Sequence, residues 1–457
     1  MIDGKQLARR IFLRTLDELD VASSISRCVS FAHGSLVCGE LEFQLTKSSD
    51  LRVVAVGKAA HGMLDGMLSV LPPEVTPSGI VSAASAPAKP HPHFKYFLGG
   101  HPTPNEQSLA SGKAALELLR GCSVETLVIV LLSGGGSALF ELSLIDSISL
   151  EELQQLNRVL VTCGASISEI NTIRKHISAV KGGRLAKAAY PATILTLAIS
   201  DVPVGKETAL ASGPTVPDPT TREQVAGVIE KYALRDRLPK KVIDWMDRGA
   251  MPETPKAGDV CFERANFQLV LGMHELFHAA HRIAESEDCL AFCDNSTDDW
   301  PLEKAADFLL AQLDELQAAN PRQPVALIAD GELSSAVTGD GLGGRNSAFV
   351  LACVEKIAGK GITVLSAGSD GIDGNSPAAG AVANGETLAR AQAAGIDVRD
   401  YFRRSDSFRF FQTLDDAIVT GPTGNNLRDM RLLIAFPREA QKAPIWRLAF
   451  PGMRFTF

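Results

Sequence analysis

Several short runs hold the residues that could do chemistry. Ser133-Gly134-Gly135-Gly136-Ser137 sets three glycines in a row between an apolar stretch and a helical pattern. Without Cβ atoms the backbone can approach a ligand closely, and successive N–H groups can cradle an anion. A plain glycine turn is the bland alternative. No G-x-x-x-x-G-K-[ST] run occurs, so any nucleotide site is not of the Walker A kind. Lys58 follows Val56-Gly57 where a strand pattern gives way to a helical one, a place from which an ammonium can meet a phosphate as a point charge. Arg174, Lys175, His176, Lys181 and Arg184 crowd one segment with paired glycines after Lys181. That segment reads equally as a solvated helix end or as a turn offering Arg174 and Lys181 to an anionic ligand.

Gly339, Gly341 and Gly344 satisfy G-x-G-x-x-G in form. The next acid after a strand, Asp370, lies further on than a dinucleotide fold places its ribose-binding carboxylate. Arg345, directly after the glycines, suits a bidentate clamp on phosphate or carboxylate instead. Asp201, Asp370 and Asp373 each follow an apolar run, where a carboxylate can hold Mg²⁺, accept a proton or cap a helix. Asp201 and Asp370 are the functional candidates, and Asp373 reads as a turn former. The histidines show no metal-ligand spacing.

The elements that must position these residues alternate between apolar runs and amphipathic helices, the pattern of α/β proteins. Strands are expected at residues 51–57, 79–83, 126–132, 193–199, 324–329 and 362–367, with a short one at 416–420. A strand pairing beside 324–329 is expected at 332–338. Helices are expected at 6–19, 105–119, 149–163, 274–285, 302–316 and 345–357. Ser149 and Glu152 form a capping-box pattern. The proline-rich stretch at 85–94 reads as loop. A domain boundary is expected near residues 245–262, with the second set opening on a strand at 267–272. Gly, Ser and Asp gather just after the apolar strands, where open α/β sheets bind ligands.

The chain has 457 residues, enough for two or three domains. Its net charge of -8 argues against a nucleic-acid partner. Eight cysteines without a CxxC pair suggest reduced thiols. No signal-peptide pattern and no run of about 18 apolar residues is present, so no membrane association and a cytoplasmic location are expected.

VGKAAHGM, GGHPTPNEQS, LLSGGGSAL, EINTIRKHISAVKGGRLA, ISDVP and ASGPTVPDPT resemble the N-terminal domain of the class II glycerate kinases. GDGLGGRNSAF, SAGSDGIDG and TGPTGNNLRDM resemble their C-terminal MOFRL domain. The blocks run in order over roughly residues 5–435. The resemblance implies a Rossmann-like domain over 1–250, a smaller MOFRL-type α/β domain over 262–435, and an active site in the cleft between them. It implies phosphorylation of D-glycerate to 2-phosphoglycerate with ATP and Mg²⁺, and it marks Lys58 and Arg345 as important for activity.

On this reading ATP phosphates lie on Ser133, Gly134, Gly135, Gly136 and Ser137 with Lys58. Asp370 holds Mg²⁺, and Arg345 meets the transferring group or the substrate carboxylate. Asp201 takes the C2 hydroxyl proton, and Arg174 or Lys181 binds the carboxylate. Two departures stand out: Val204-Gly205-Lys206-Glu207 after ISDVP, and Ser347-Ala348 after GGRN. The tail 436–457 lies outside the resemblance. A non-catalytic binding protein on this fold and an NAD(P)H-dependent hydroxypyruvate reductase are the alternatives. The partner is a small hydroxy acid, and the oligomeric state stays open, a homodimer among the options.

Overall fold

The computed structural model describes residues 3–45, 49–200, 202, 205–425 and 427–437. Two helices, Gly4–Glu18 and Val21–Cys28, open the chain. Val29–Ala32 (β1), Ser35–Cys38 (β2) and Leu41–Gln44 (β3) then form a small antiparallel sheet in sequence order.

The unalternating apolar runs become buried parallel strands, since a strand covered on both faces has no polar side to show. They are Leu51–Val56 (β4), Ser78–Ala83 (β5), Phe94–Leu98 (β6), Leu127–Leu132 (β7), Thr193–Ile199 (β8) and Ala265–Leu271 (β9). The order is β6-β5-β4-β7-β8-β9, and every pairing is parallel. From β4 the chain steps outward to β5 and β6 on one side. It then returns to β7, β8 and β9 on the other, so the topological switch lies between β4 and β7. Two expectations change here. The stretch read as proline-rich loop ends in β6. The strand expected to open the second set instead closes the first sheet, with β9 beside β8.

A second six-stranded sheet follows. Its strands are Leu290–Cys293 (β10), Val325–Asp330 (β11), Ile362–Gly368 (β12), Gly380–Asn384 (β13), Ala417–Ile418 (β14) and Asp429–Ala435 (β15). The order is β10-β11-β15-β12-β13-β14. Only β10 and β11 run parallel; the other pairings are antiparallel. The strand expected at 332–338 is absent. That segment is loop, with one isolated bridge from Ser334 to Pro301.

Contacts divide the chain into two units. One comprises Asp17–Leu276 with Pro422–Arg428, and the other Met1–Leu16, Phe277–Gly421 and the segment from Asp429. The first helix is therefore part of the unit built on the second sheet. Lys5 is ion-paired to Asp416 at 2.6 Å, Arg9 donates to the Ala417 and Asp415 carbonyls, and Arg10 and Arg14 both meet Glu287. Among the described residues no helix is long and apolar enough to cross a membrane.

Candidate functional site

In the parallel-sheet unit the candidate residues gather at the carboxyl ends of β4 and β7, on either side of the switch point, where doubly wound sheets leave a crevice. Gly57 follows β4 directly with φ +121°, and a Cβ there would meet the Ser133 carbonyl oxygen at 2.6 Å. Only glycine lets the two loops touch. The Lys58 N–H donates to the Gly134 carbonyl at 2.9 Å, and Ser133 N–H donates to Val56 at 2.9 Å. Lys58 is thus fixed at its backbone to the glycine run, and the helix Ala60–Val70 begins two residues later.

The five loop residues divide. Ser133 is buried and its hydroxyl accepts the Ala59 N–H at 3.0 Å, so it braces the two loops. Gly136 is buried as well and starts a helix of a single turn, Gly136–Leu139. Gly134, Gly135 and Ser137 remain half-exposed. The Ser137 hydroxyl lies 2.9 Å from that of Ser212, which donates to Asn171 Oδ1 at 3.2 Å. This chain ties the loop to the helix Ile167–Ile177.

His101 was not singled out by sequence reasoning, yet it flanks the same glycine. A Cβ on Gly135 would lie 3.2 Å from His101 Cδ2 and 3.3 Å from Lys58 Cγ. Burial and the Lys58 charge push the His101 pKa below the usual imidazole value. Nothing local in the sequence ties His101 to the glycine run; the fold brings them together.

The basic segment is built inward. Lys181 is fully buried, ion-paired to Glu141, and donates to the Phe140 carbonyl at 3.2 Å. Burial lowers its pKa against the pull of Glu141. Arg174 donates to Asn157 Oδ1 at 3.1 Å, and burial lowers its pKa too. These partners make Lys181 part of the wall behind the loop, whereas Arg174 is only half-buried. Asp201 lies outside the described residues, as does Val204 of the departing block.

In the second unit Arg345 opens the helix Arg345–Val354. Its Nε donates to Asp429 and its Nη1 to Glu332 at 2.8 Å. Burial works against the guanidinium charge, but the two carboxylates outweigh it and raise the pKa. Asp373 is buried and accepts from Asn346 N and Ser347 N, both at 2.9 Å, and from Ser347 Oγ at 2.6 Å. It therefore caps the helix from a neighbouring loop, and burial raises its pKa. Ser347 also lies 2.8 Å from the Ser407 hydroxyl.

Asp370 is half-buried just past β12, and its Oδ1 accepts the Ile372 N–H at 3.0 Å. A cavity of about 800 Å³ opens beside these residues within the same unit. Among the described residues no group of three or more His, Cys, Asp or Glu side chains is placed to hold a metal.

Fold and loops define an α/β protein of two units whose strand ends carry glycine loops and paired ions. The profile described as "Domain of unknown function (DUF4147)" matches residues 7–247, and that of the MOFRL family matches residues 325–429. D-glycerate 2-kinase of Thermotoga maritima is 34% identical over 381 residues, covering 83% of this chain and 89% of that protein. Glycerate 2-kinase of Pyrococcus horikoshii is 31% identical over 95% of this chain and 98% of its own. The crystal structure of glycerate kinase from Thermotoga maritima superposes with a TM-score of 0.81 at 31% identity, covering 94% of this chain and 99% of that one. The chain belongs to the glycerate kinase family of the MOFRL type.

Proposed function

We propose that this chain is a glycerate 2-kinase, transferring the γ-phosphoryl group of ATP to the C2 hydroxyl of D-glycerate. The observation that carries this reading is similarity along the whole length, over 95% of this chain and 98% of the Pyrococcus horikoshii glycerate 2-kinase. A partial match would have carried the fold alone. Cytoplasmic residence belongs to the same proposal and is supported by eight cysteines that are all free thiols.

Phosphoryl transfer asks a protein mainly for positioning and charge stabilisation. Gly134, Gly135 and Ser137 present backbone and hydroxyl groups to phosphate oxygens, and Lys58, fixed to the same loop, supplies positive charge. Arg345 is held charged and oriented by Asp429 and Glu332, ready to meet the transferring group or a substrate carboxylate. Arg174 is the better placed of the two predicted carboxylate binders, since Lys181 is already committed to Glu141. Asp201 takes the hydroxyl proton. Mg²⁺ binds through one or two carboxylates together with waters and phosphates, and the single half-buried carboxylate of Asp370 fits that demand. Bound there, the ion would neutralise charge on the phosphates.

The test is purified protein with ATP, Mg²⁺ and D-glycerate, following ADP release and identifying the product by NMR. Glycerate-dependent ADP with phosphate on C2 is the expected result; ADP release indifferent to glycerate overturns it. Relatives from Agrobacterium vitis carry a provisional name for hydroxypyruvate reduction, one of them 35% identical over 84% of this chain. Oxidation of NAD(P)H by hydroxypyruvate would establish that second reading.

A further inference from the structure

Cys28 and Cys38 are the one thiol pair in mutual contact among the described residues, their sulfurs 3.8 Å apart. Cys28 is the last residue of the helix Val21–Cys28, and Cys38 is the last of β2. The strand ladder fixes their approach. Val29 opens β1 directly opposite Cys38. The turn between the two strands, His33-Gly34, has positive φ at both residues, as a tight type I′ hairpin requires. The register cannot slip without breaking that turn, so Cys28 stays beside Cys38. Bonded sulfurs lie about 2.0 Å apart, so joining these two asks for a shift of roughly 2 Å, within reach of side-chain rotation.

The two sulfurs differ in access and in acidity. Cys28 is half-buried and Cys38 only 1% exposed, so a small oxidant from solvent meets Cys28 first. The Cys38 S–H can donate to a Cys28 thiolate, which brings the Cys28 pKa down to about 7. That same hydrogen bond, with burial, pushes Cys38 up. An accessible thiolate beside a protonated thiol is the pairing of an oxidant-reactive cysteine with its resolving partner. The other cysteines lack it. Cys293 reaches solvent, yet desolvation and the Asp330 and Glu285 charges push its pKa up to about 11. Burial holds Cys289 at about 11 and Cys353 at about 12. The Cys163 S–H is engaged by the Leu160 carbonyl at 3.2 Å.

We propose that Cys28 and Cys38 are a modification site for hydrogen peroxide, and that the disulfide they form pins the end of the helix Val21–Cys28 to β2. First the Cys28 thiolate attacks one peroxide oxygen: an S–O bond forms, the O–O bond breaks and hydroxide leaves. Then the Cys38 sulfur attacks the Cys28 sulfur: the S–S bond forms, the S–O bond breaks, and the oxygen departs as water with the Cys38 proton. The two thiols together lose two electrons, and peroxide takes them up. The pinned helix packs on Ala60–Val70, where a Cβ on Gly66 would meet the Ala22 carbonyl oxygen at 2.5 Å, so the two backbones touch. Ala60–Val70 is the helix that follows Lys58. Oxidation therefore stiffens the support behind that residue. The site uses none of the residues assigned to phosphoryl transfer, and it stands whether or not the chain phosphorylates glycerate.

Peptide mapping of the reduced, full-length wild-type chain tests the chemistry without a variant. The folded protein is treated with one equivalent of hydrogen peroxide, alkylated with N-ethylmaleimide and digested with trypsin. Both cysteines fall in one tryptic peptide, Cys28–Lys47. That peptide should appear two hydrogens lighter and unalkylated, and a reducing phosphine should restore both thiols. A doubly alkylated peptide, oxidation confined to other cysteines, or Cys28 carried to sulfinic acid without a bond would each overturn the proposal. Cys38→Ser removes the resolving thiol, so dimedone should then trap Cys28 as its sulfenic acid; Cys28→Ser should leave Cys38 unoxidised. If Cys38→Ser fails to fold, the wild-type map decides. Hydrogen exchange reads the pinning. Oxidation should slow exchange several-fold across Val21–Cys28 in wild type and leave it unchanged in Cys28→Ser, and a disulfide that slows nothing there refutes the pinned helix.

Discussion

Lys58 and Arg345 are both anchored, and by opposite means. Lys58 is fixed through its backbone N–H to Gly134, whereas Arg345 is fixed through its guanidinium to two carboxylates. Lys58→Ala should therefore leave the fold intact and lower kcat on the order of a hundredfold, as removal of a preorganised charge does. A kcat close to wild type in steady-state assays would remove Lys58 from the mechanism. Arg345→Lys replaces a planar guanidinium, whose Nε and Nη1 meet the two carboxylates in a fixed geometry, by a single flexible ammonium, so its kcat should fall nearly as far as that of the alanine variant. His101 offers a check without mutation. Its pKa is depressed by burial and by Lys58, and an anion at Gly135 favours the protonated ring. ADP should accordingly raise the His101 pKa in an NMR titration, and an unmoved value would place the anion elsewhere. Lys58 was legible in the sequence because a cation at a strand-to-helix junction is a local pattern. His101 was not, because its partner glycine lies 34 positions away and only the fold joins them.

Among the elements, the strands β4, β7, β8 and β12 could be read from their unbroken apolar runs. Strand β15 could not: Asp429 and Arg431 interrupt it, and both are buried. The charges persist because each has a task, Asp429 holding Arg345 and Arg431 donating to the Asp330 and Gly331 carbonyls. Nor could sequence assign β9 to its sheet, since pairing with β8 is a long-range event that local composition does not record. The helix Arg345–Val354 depends on a cap that comes from outside it. Asp373→Ala should cost about 1–3 kcal/mol through three lost hydrogen bonds and lower kcat by loosening Arg345, although Asp373 itself has no chemical task. A melting temperature and kcat both equal to wild type would contradict this. The basic segment is tested through Lys181. Lys181→Met leaves Glu141 buried without its partner, a loss of about 3–5 kcal/mol in urea unfolding, and adding Glu141→Leu should recover much of it. A K181M protein of unchanged stability with a raised KM for glycerate would return Lys181 to the substrate.

At the scale of the whole molecule, chain order and spatial membership differ. The helix Gly4–Glu18 is stitched by Lys5, Arg9, Arg10 and Arg14 to residues 287 and 415–417. Removing residues 1–16 should therefore loosen the second unit and spare the parallel sheet. Hydrogen exchange should quicken in β13 and β14 but not in β4 or β7; the reverse pattern would refute the assignment. The same feature has a consequence during synthesis. Leu7, Ala8, Ile11 and Phe12 are at most 2% exposed in the finished protein, and the unit that covers them begins to appear only at Phe277. At about 5–20 residues per second the ribosome takes roughly 15–50 seconds to reach it. For that interval the nascent chain carries a helix whose apolar face has no partner, while the complete chain, refolding from denaturant, has that partner present from the start.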